Sequence, residues 1–222
     1  MKSIQVGYDD TFFNDVGSEI EAATYLDAVL THVQTFFCHP SLGSKIQIEV
    51  NQIAMIPYEF NYYISKILQR DGDYTYHAGN TWKADVDSLS GPILATSRAS
   101  SSDANLFVYL CKDPEFYGVI GLAYVGTLCL PQIYKAYGSS INEKRESAVS
   151  TAEVVAHEMG HNMGMLHDFD EQNGGSDGPC NGNGLMSYGN NKPQEWSTCS
   201  QANYLARYNQ VGGVNWCMPG TL

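Results

Sequence analysis

No apolar run in the chain approaches the ~20 residues needed to cross a bilayer, which excludes a membrane-spanning helix. Positive charge is scarce: 12 Lys and Arg face 24 Asp and Glu, leaving a formal charge of −12. A phosphate backbone or an anionic membrane needs a basic face, so neither is expected as a partner. The acidity reads as solubility rather than recognition. There is also no CxxC pair, no Asn-x-Ser/Thr sequon, no repeat and no low-complexity tract. The first absence argues against a thiolate metal site and the second against N-glycosylation.

What is present fits one large globular domain or two small ones. Of 222 residues, 43% are hydrophobic and 16% charged, enough to bury a substantial core. Cys38, Cys111, Cys129, Cys180, Cys199 and Cys217 form an even set, as a few long-range disulfides in an oxidising compartment require; sequence alone leaves every pairing open.

Periodicity places the elements. Residues 3–8 alternate as a strand. Ser18 and Glu21 form a capping box, followed at helical spacing by Ala22, Leu26, Val29, Leu30, Val33, Phe36 and Phe37, down to His39-Pro40. Residues 45–55 predict a second strand, with Ile46, Ile48, Val50 and Ile53 alternating apart from one skip. A helix is predicted over 58–69, and strands over 105–110 and 118–128. Ser150 and Glu153 read as a second capping box, opening a helix at Val154-Val155-Ala156. Beyond Asp168, Gly174, Gly175, Gly178, Gly182, Gly184 and Gly189 mark a loop-rich segment, before a last helix from near Ser200 through Tyr204, Leu205 and Tyr208 to Gly212-Gly213.

The chemistry is concentrated in His157-Glu158-Met159-Gly160-His161-Asn162-Met163-Gly164-Met165-Leu166-His167-Asp168. Histidines four apart on a helix lie about 40° from each other around the axis, so both imidazoles can reach one ion at roughly 2.0–2.1 Å. Glu158 sits between them, able to touch a water on that ion without ligating it. Gly164 can adopt positive φ and let the chain turn, bringing His167 back as a third ligand with the fourth position open. Three neutral ligands, an open site and an adjacent carboxylate are suited to activating water.

HExxHxxGxxH with a downstream methionine resembles the metzincin metallopeptidases. Asp168 after the third histidine and Asn162 after the second resemble the adamalysin (reprolysin) branch, which includes snake-venom metalloproteinases and ADAM catalytic domains. Gly121 to Cys129 is similar to that family's edge strand and its closing cysteine. Leu185-Met186-Ser187-Tyr188 is similar to the Met-turn, and Ser197-Thr198-Cys199-Ser200 to the start of the last helix.

The resemblance implies an α/β (α+β) fold: a mixed, mostly parallel, five-stranded twisted sheet with packed helices. It implies one catalytic domain over residues 1–222, with an N-terminal subdomain of about 1–165, an irregular C-terminal subdomain of about 166–222, and zinc in the cleft between them. The implied activity is a secreted zinc endopeptidase in which Glu158 assists attack of a zinc-bound water, with protein or peptide substrates, His157, His161 and His167 as ligands and Met186 packed beneath them. Substrate backbone would pair with Gly121, Leu122 and Ala123, and Ser187, Tyr188 and the chain to Pro193 would wall a side-chain pocket. The implied disulfides are Cys129–Cys217 and Cys180–Cys199, with Cys38–Cys111 as the remaining pair. Calcium near the termini is a further expectation: Asp103 and the Cys217 carbonyl fit, while Gln5 and Gly220 depart from the pattern. Asp168 is expected to anchor the turn, and His32, His39 and His77 to be structural or surface residues. A monomer is expected. A secreted enzyme carries a signal peptide and none is present, so the chain is expected to be a mature or trimmed domain with Met1 added. Two alternatives stand beside this reading: a catalytically inactive binding or inhibitory module on the same fold, and a protease of another metzincin branch.

Overall fold

The computed structural model describes residues 2–43, 46–55, 106–112, 120–128, 138–189 and 192–211. The predicted helix 58–69, His77, Asp103, Cys129, Cys217 and Gly220 lie outside the described residues, and so does the Gln5 side chain. In chain order the elements are β1 (Lys2–Tyr8), α1 (Asp10–Val16), α2 (Glu19–Phe37), β2 (Ile48–Met55), β3 (Leu106–Cys111), β4 (Gly121–Ala123), β5 (Ser139–Glu143), α3 (Ala148–Asn162) and α4 (Thr198–Gln210). The strands form one sheet in the order β2-β1-β3-β5-β4. Every pairing is parallel except that of β4 with β5. The fold is therefore mixed α/β with a mostly parallel sheet, and β4 forms one edge.

α2 shows why these residues make a helix. Ser18 caps it, its hydroxyl accepting from Glu21 N at 3.2 Å and donating to the Glu21 carboxylate at 2.8 Å. Ala22, Leu26, Val29, Val33, Phe36 and Phe37 then fall on one buried stripe. Full burial of each larger side chain stabilises by roughly 1.5–3 kcal/mol. They join Ile4 and Val6 of β1, Leu106, Val108 and Leu110 of β3, and Ala152, Val155, Ala156 and Met159 of α3 in one core. The skip in the alternation of residues 45–55 has a structural cause: the β1–β2 register passes from Ile4↔Val50 to Gln5↔Gln52, a one-residue bulge at Asn51.

Four features differ from the sequence expectation. Within the described residues 120–128 the strand expected over 118–128 is only Gly121–Ala123, after which the chain turns. α1 was not predicted; Asp9 caps it, accepting from Phe12 N at 3.0 Å and from Tyr109 Oη at 2.9 Å. β5 was not predicted either, because Ser-Ser-Ile-Asn-Glu offers one apolar residue to an alternation test. The capping box of α3 lies three residues upstream of Ser150 and Glu153. Ser147 is the N-cap and Ser150 its reciprocal partner, with N–H···Oγ distances of 3.1 and 3.2 Å.

Cys180 and Cys199 form a disulfide with Cα atoms 6.1 Å apart. The expected Cys38–Cys111 bond is not formed. The Cys38 thiol lies beside Gln34 and the Ile46 carbonyl, just before the residue that pairs with Lys2, at the start of β1. The Cys111 thiol donates to the Asn142 carbonyl, one residue past Leu110, which pairs with Tyr8 at the other end of β1. The two cysteines thus sit at opposite ends of the sheet, about 20 Å apart at the usual strand rise, whereas a disulfide needs Cα atoms within about 7 Å.

Candidate metal centre

α3 carries His157 and His161 on one face, and Gly164 ends it. With φ of +95° at Gly164, Met165 N donates to Gly160 O at 2.9 Å and Gly164 N to His161 O at 2.8 Å, a Schellman closure. Arg207 packs so close that a Cβ at Gly164 would lie 2.7 Å from Arg207 Cβ, a second demand for glycine. The reversed chain returns His167 to the helix. The ligand nitrogens of His157, His161 and His167 come within 4.8 Å of one another, and His161 Nε2 lies 3.1 Å from His167 Nε2.

The outer nitrogens are already engaged. His157 Nδ1 pairs with Leu185 O at 2.7 Å and His161 Nδ1 with Met165 O at 2.8 Å. A carbonyl can only accept, so each Nδ1 carries the proton and each Nε2 offers its lone pair inward. His167 Nδ1 lies 3.6 Å from an Asp170 carboxylate oxygen, and its ring stacks on Phe169 at 4.7 Å. Burial pushes the His157 pKa well below its ordinary value, with the neighbouring His161 adding to the effect. His161 is pushed down to about 4 by burial and then by His167, and burial also lowers His167. All three are therefore neutral imidazoles at neutral pH, the form that ligates a metal. The residues fit a zinc ion.

Glu158 is buried beside them, and burial raises its pKa to about 8 against the opposing charge of Lys192. Met186 is fully buried under α3, where a Cβ on Gly160 would lie 2.8 Å from its sulfur. Asp168, also fully buried, accepts from the hydroxyls of Ser187 at 2.8 Å, Ser200 at 3.2 Å and Ser197. It thereby ties the chain after His167 to the Met186 turn and to the cap of α4.

The predicted substrate residues divide. Gly121, Leu122 and Ala123 are β4, half-buried at the sheet edge. The Tyr188 hydroxyl lies 3.2 Å from His167 Nε2, with its residue 68% exposed. Ser187 is instead turned fully inside, donating to Asp168 and accepting from Gly182 N, so its side chain lines no pocket. His32 and His39 stand apart from the cluster, His39 capping the short turn Pro40–Leu42. Sequence reasoning missed Lys192, whose ammonium donates to Leu185 O at 2.8 Å and Ser187 O at 2.6 Å, bridging the carbonyls either side of Met186. It also missed the carbonyls of Leu185 and Met165, since main-chain acceptors leave no mark in a side-chain pattern.

The reprolysin-type family model described as "Metallo-peptidase family M12" matches residues 2–205. Among curated relatives, human "A disintegrin and metalloproteinase with thrombospondin motifs 20" is 27% identical over 74% of this chain and 8% of its own length. Human "A disintegrin and metalloproteinase with thrombospondin motifs 10" is 26% identical over 85% of this chain and 17% of its own. "Zinc metalloproteinase-disintegrin-like" of Cerberus rynchops is 42% identical over 32% of this chain and 11% of its own. The chain thus spans less than a fifth of the length of these relatives.

Proposed function

From the premise that this chain belongs to metallo-peptidase family M12, we propose that it is a zinc-dependent endopeptidase with Glu158 as its general base and general acid. One observation carries the reading: three neutral imidazoles converge through Nε2 while two outer nitrogens are locked to carbonyls, with a buried carboxylate alongside. His157, His161 and His167 hold the ion. Zinc, when bound, supplies a Lewis acid for the scissile carbonyl and makes hydroxide available near neutral pH. Glu158 accepts the proton of the attacking water and delivers it to the leaving amine.

β4 supports the substrate side of the proposal. Among the described residues it pairs only with β5, so its other edge is the one proposed to add an extended peptide as a strand. Tyr188, its hydroxyl beside His167 Nε2, is the described residue placed to wall a side-chain pocket next to the metal centre, and Met186 packs against the helix that carries the first two ligands. The ion occupies a cleft between a subdomain of about 1–165 and one of about 166–222, within a single domain. The disulfide Cys180–Cys199 supports secretion, because such bonds persist in oxidising compartments. Among the described residues no helix is long and apolar enough to cross a membrane. The enzyme acts as a monomer on proteins or peptides.

The test joins metal content to proteolysis. One zinc per chain by elemental mass spectrometry, with chelator-sensitive cleavage of casein or gelatin, is the expected result. Glu158→Gln should keep the zinc and lose at least ~10²-fold in kcat, the scale of a missing general base. Normal turnover by that variant overturns the assignment of Glu158, and a folded, metal-replete sample without zinc overturns the metal centre.

A further inference from the structure

Glu158 is placed in an unusual way for a group that must aim at a reacting atom. Its carboxylate receives no hydrogen bond from any described residue, although it is 95% buried at a relative exposure of 5%. Besides the charge of Lys192, orientation comes from shape, and β4 supplies part of that shape. An ideal Cβ built on Gly121 would lie 2.5 Å from Glu158 Oε1, 2.8 Å from Cγ and 2.9 Å from Cδ. All three distances are shorter than any side chain tolerates, so the bare Cα of Gly121 is in direct contact with the carboxylate. Gly121 is not in the left-handed φ region, and it pairs regularly with Asn142 of β5. The backbone would accept another residue there, and the Glu158 side chain would have to move to make room for it.

We propose that Gly121 is a positioning residue for Glu158: the edge strand sets the base by steric contact, through the absence of a side chain. The inference rests on Glu158 being the base. It makes one short strand serve two purposes, since the strand that pairs with a substrate also fixes the group that attends to it. A displacement of about 1 Å in such a group can lower turnover by about 10²-fold.

The test is a pair of double-variant cycles on the zinc-loaded protein. For activity, Gly121→Ala should lower kcat by ~10²-fold with KM for a short peptide changed less than about threefold and zinc still at one per chain. In a Glu158→Ala background Cγ, Cδ and Oε1 are all gone, so the added methyl has room. There Gly121→Ala should lower the residual turnover by less than about threefold, a non-additivity that marks direct contact. For stability, which does not depend on turnover, Gly121→Ala should lower Tm by roughly 3–8 °C, the scale of an overpacked methyl, and should leave Tm level or higher in a Glu158→Ala background. Equal losses in both backgrounds, loss of zinc, or a rise in KM alone would overturn the proposal. If the unaltered protein cleaves nothing, the peptidase reading fails while the thermal cycle still decides the contact.

Discussion

Before Gly164 the side chains that hold the structure are apolar and evenly spaced: Leu26, Val29 and Val33 along α2, facing Val155, Ala156 and Met159 of α3. After it, up to α4, Met165, Leu185, Met186 and Trp196 still reach the core, but the chain between them is held by polar, irregular bonds. Asp168 gathers three hydroxyls, Lys192 bridges two carbonyls, and the Asn173 amide donates to His167 O at 2.8 Å. The first region supplies two ligands from a rigid helix; the second supplies the third ligand and the carbonyl that orients His157. A metal centre built across that boundary inherits precision from packing on one side and from hydrogen bonds on the other.

The sharpest way to separate the two is to damage each once. Asp168→Ala strands three buried hydroxyls and should cost roughly 3–5 kcal/mol, with zinc lost as His167 leaves its place. Leu26→Ala removes core volume behind the helix that carries His157 and touches none of its hydrogen bonds; it should cost roughly 2–5 kcal/mol with zinc retained. Denaturant titration with zinc analysis distinguishes them; zinc retained by Asp168→Ala at near-normal stability would erase the contrast. Replacing Cys180 and Cys199 by serine is the next largest break, up to about 3 kcal/mol for a bridge of this loop length. Protection of amide hydrogens should fall first over 166–197 and later over α2 and α3; a uniform fall would show a single cooperative unit.

Acid and base give the smallest and finest probe. In the metal-free protein the three histidines titrate near 6.5 when unfolded but lower when folded, down to about 4 for His161. The unfolded chain therefore binds protons first, and stability is lost as pH falls from about 6.5. Glu158 has the opposite sign: its pKa rises from 4.5 to about 8 on folding, so its contribution is full below 4.5 and lost as pH rises through 8. Melting of the apoprotein should peak at mildly acidic pH, and Glu158→Gln should remove the alkaline limb. An alkaline limb unchanged in that variant would assign it to another group.

Regularity decided what could be read beforehand. The stripe of α2, the skip at Asn51, the turn at Gly164 and the convergence of three histidines all follow from spacing, and all are found. α1 and β5 were hidden because a seven-residue helix and a polar inner strand carry little periodicity. Ser147 takes the cap with Ser150 as its partner, and spacing alone does not choose between two hydroxyls that can both serve. Cys38 and Cys111 count as a pair on paper, yet the sheet holds them at opposite ends. Lys192 is a lone lysine between asparagine and proline, and nothing local announces that its ammonium bridges the carbonyls either side of Met186.

One contact carries a consequence for oxidative chemistry. The sulfurs of Met165 and Met186 both lie against Gly160 with the ring of Trp196, and both methionines have zero exposure. A peroxide cannot reach a sulfur so enclosed unless the segment after Gly164 lifts from the helix. Sulfoxide at either position is thus a covalent timestamp of that lifting. Counting it by mass spectrometry after a brief oxidant pulse would turn a static burial into a clock for how often the metal centre comes apart.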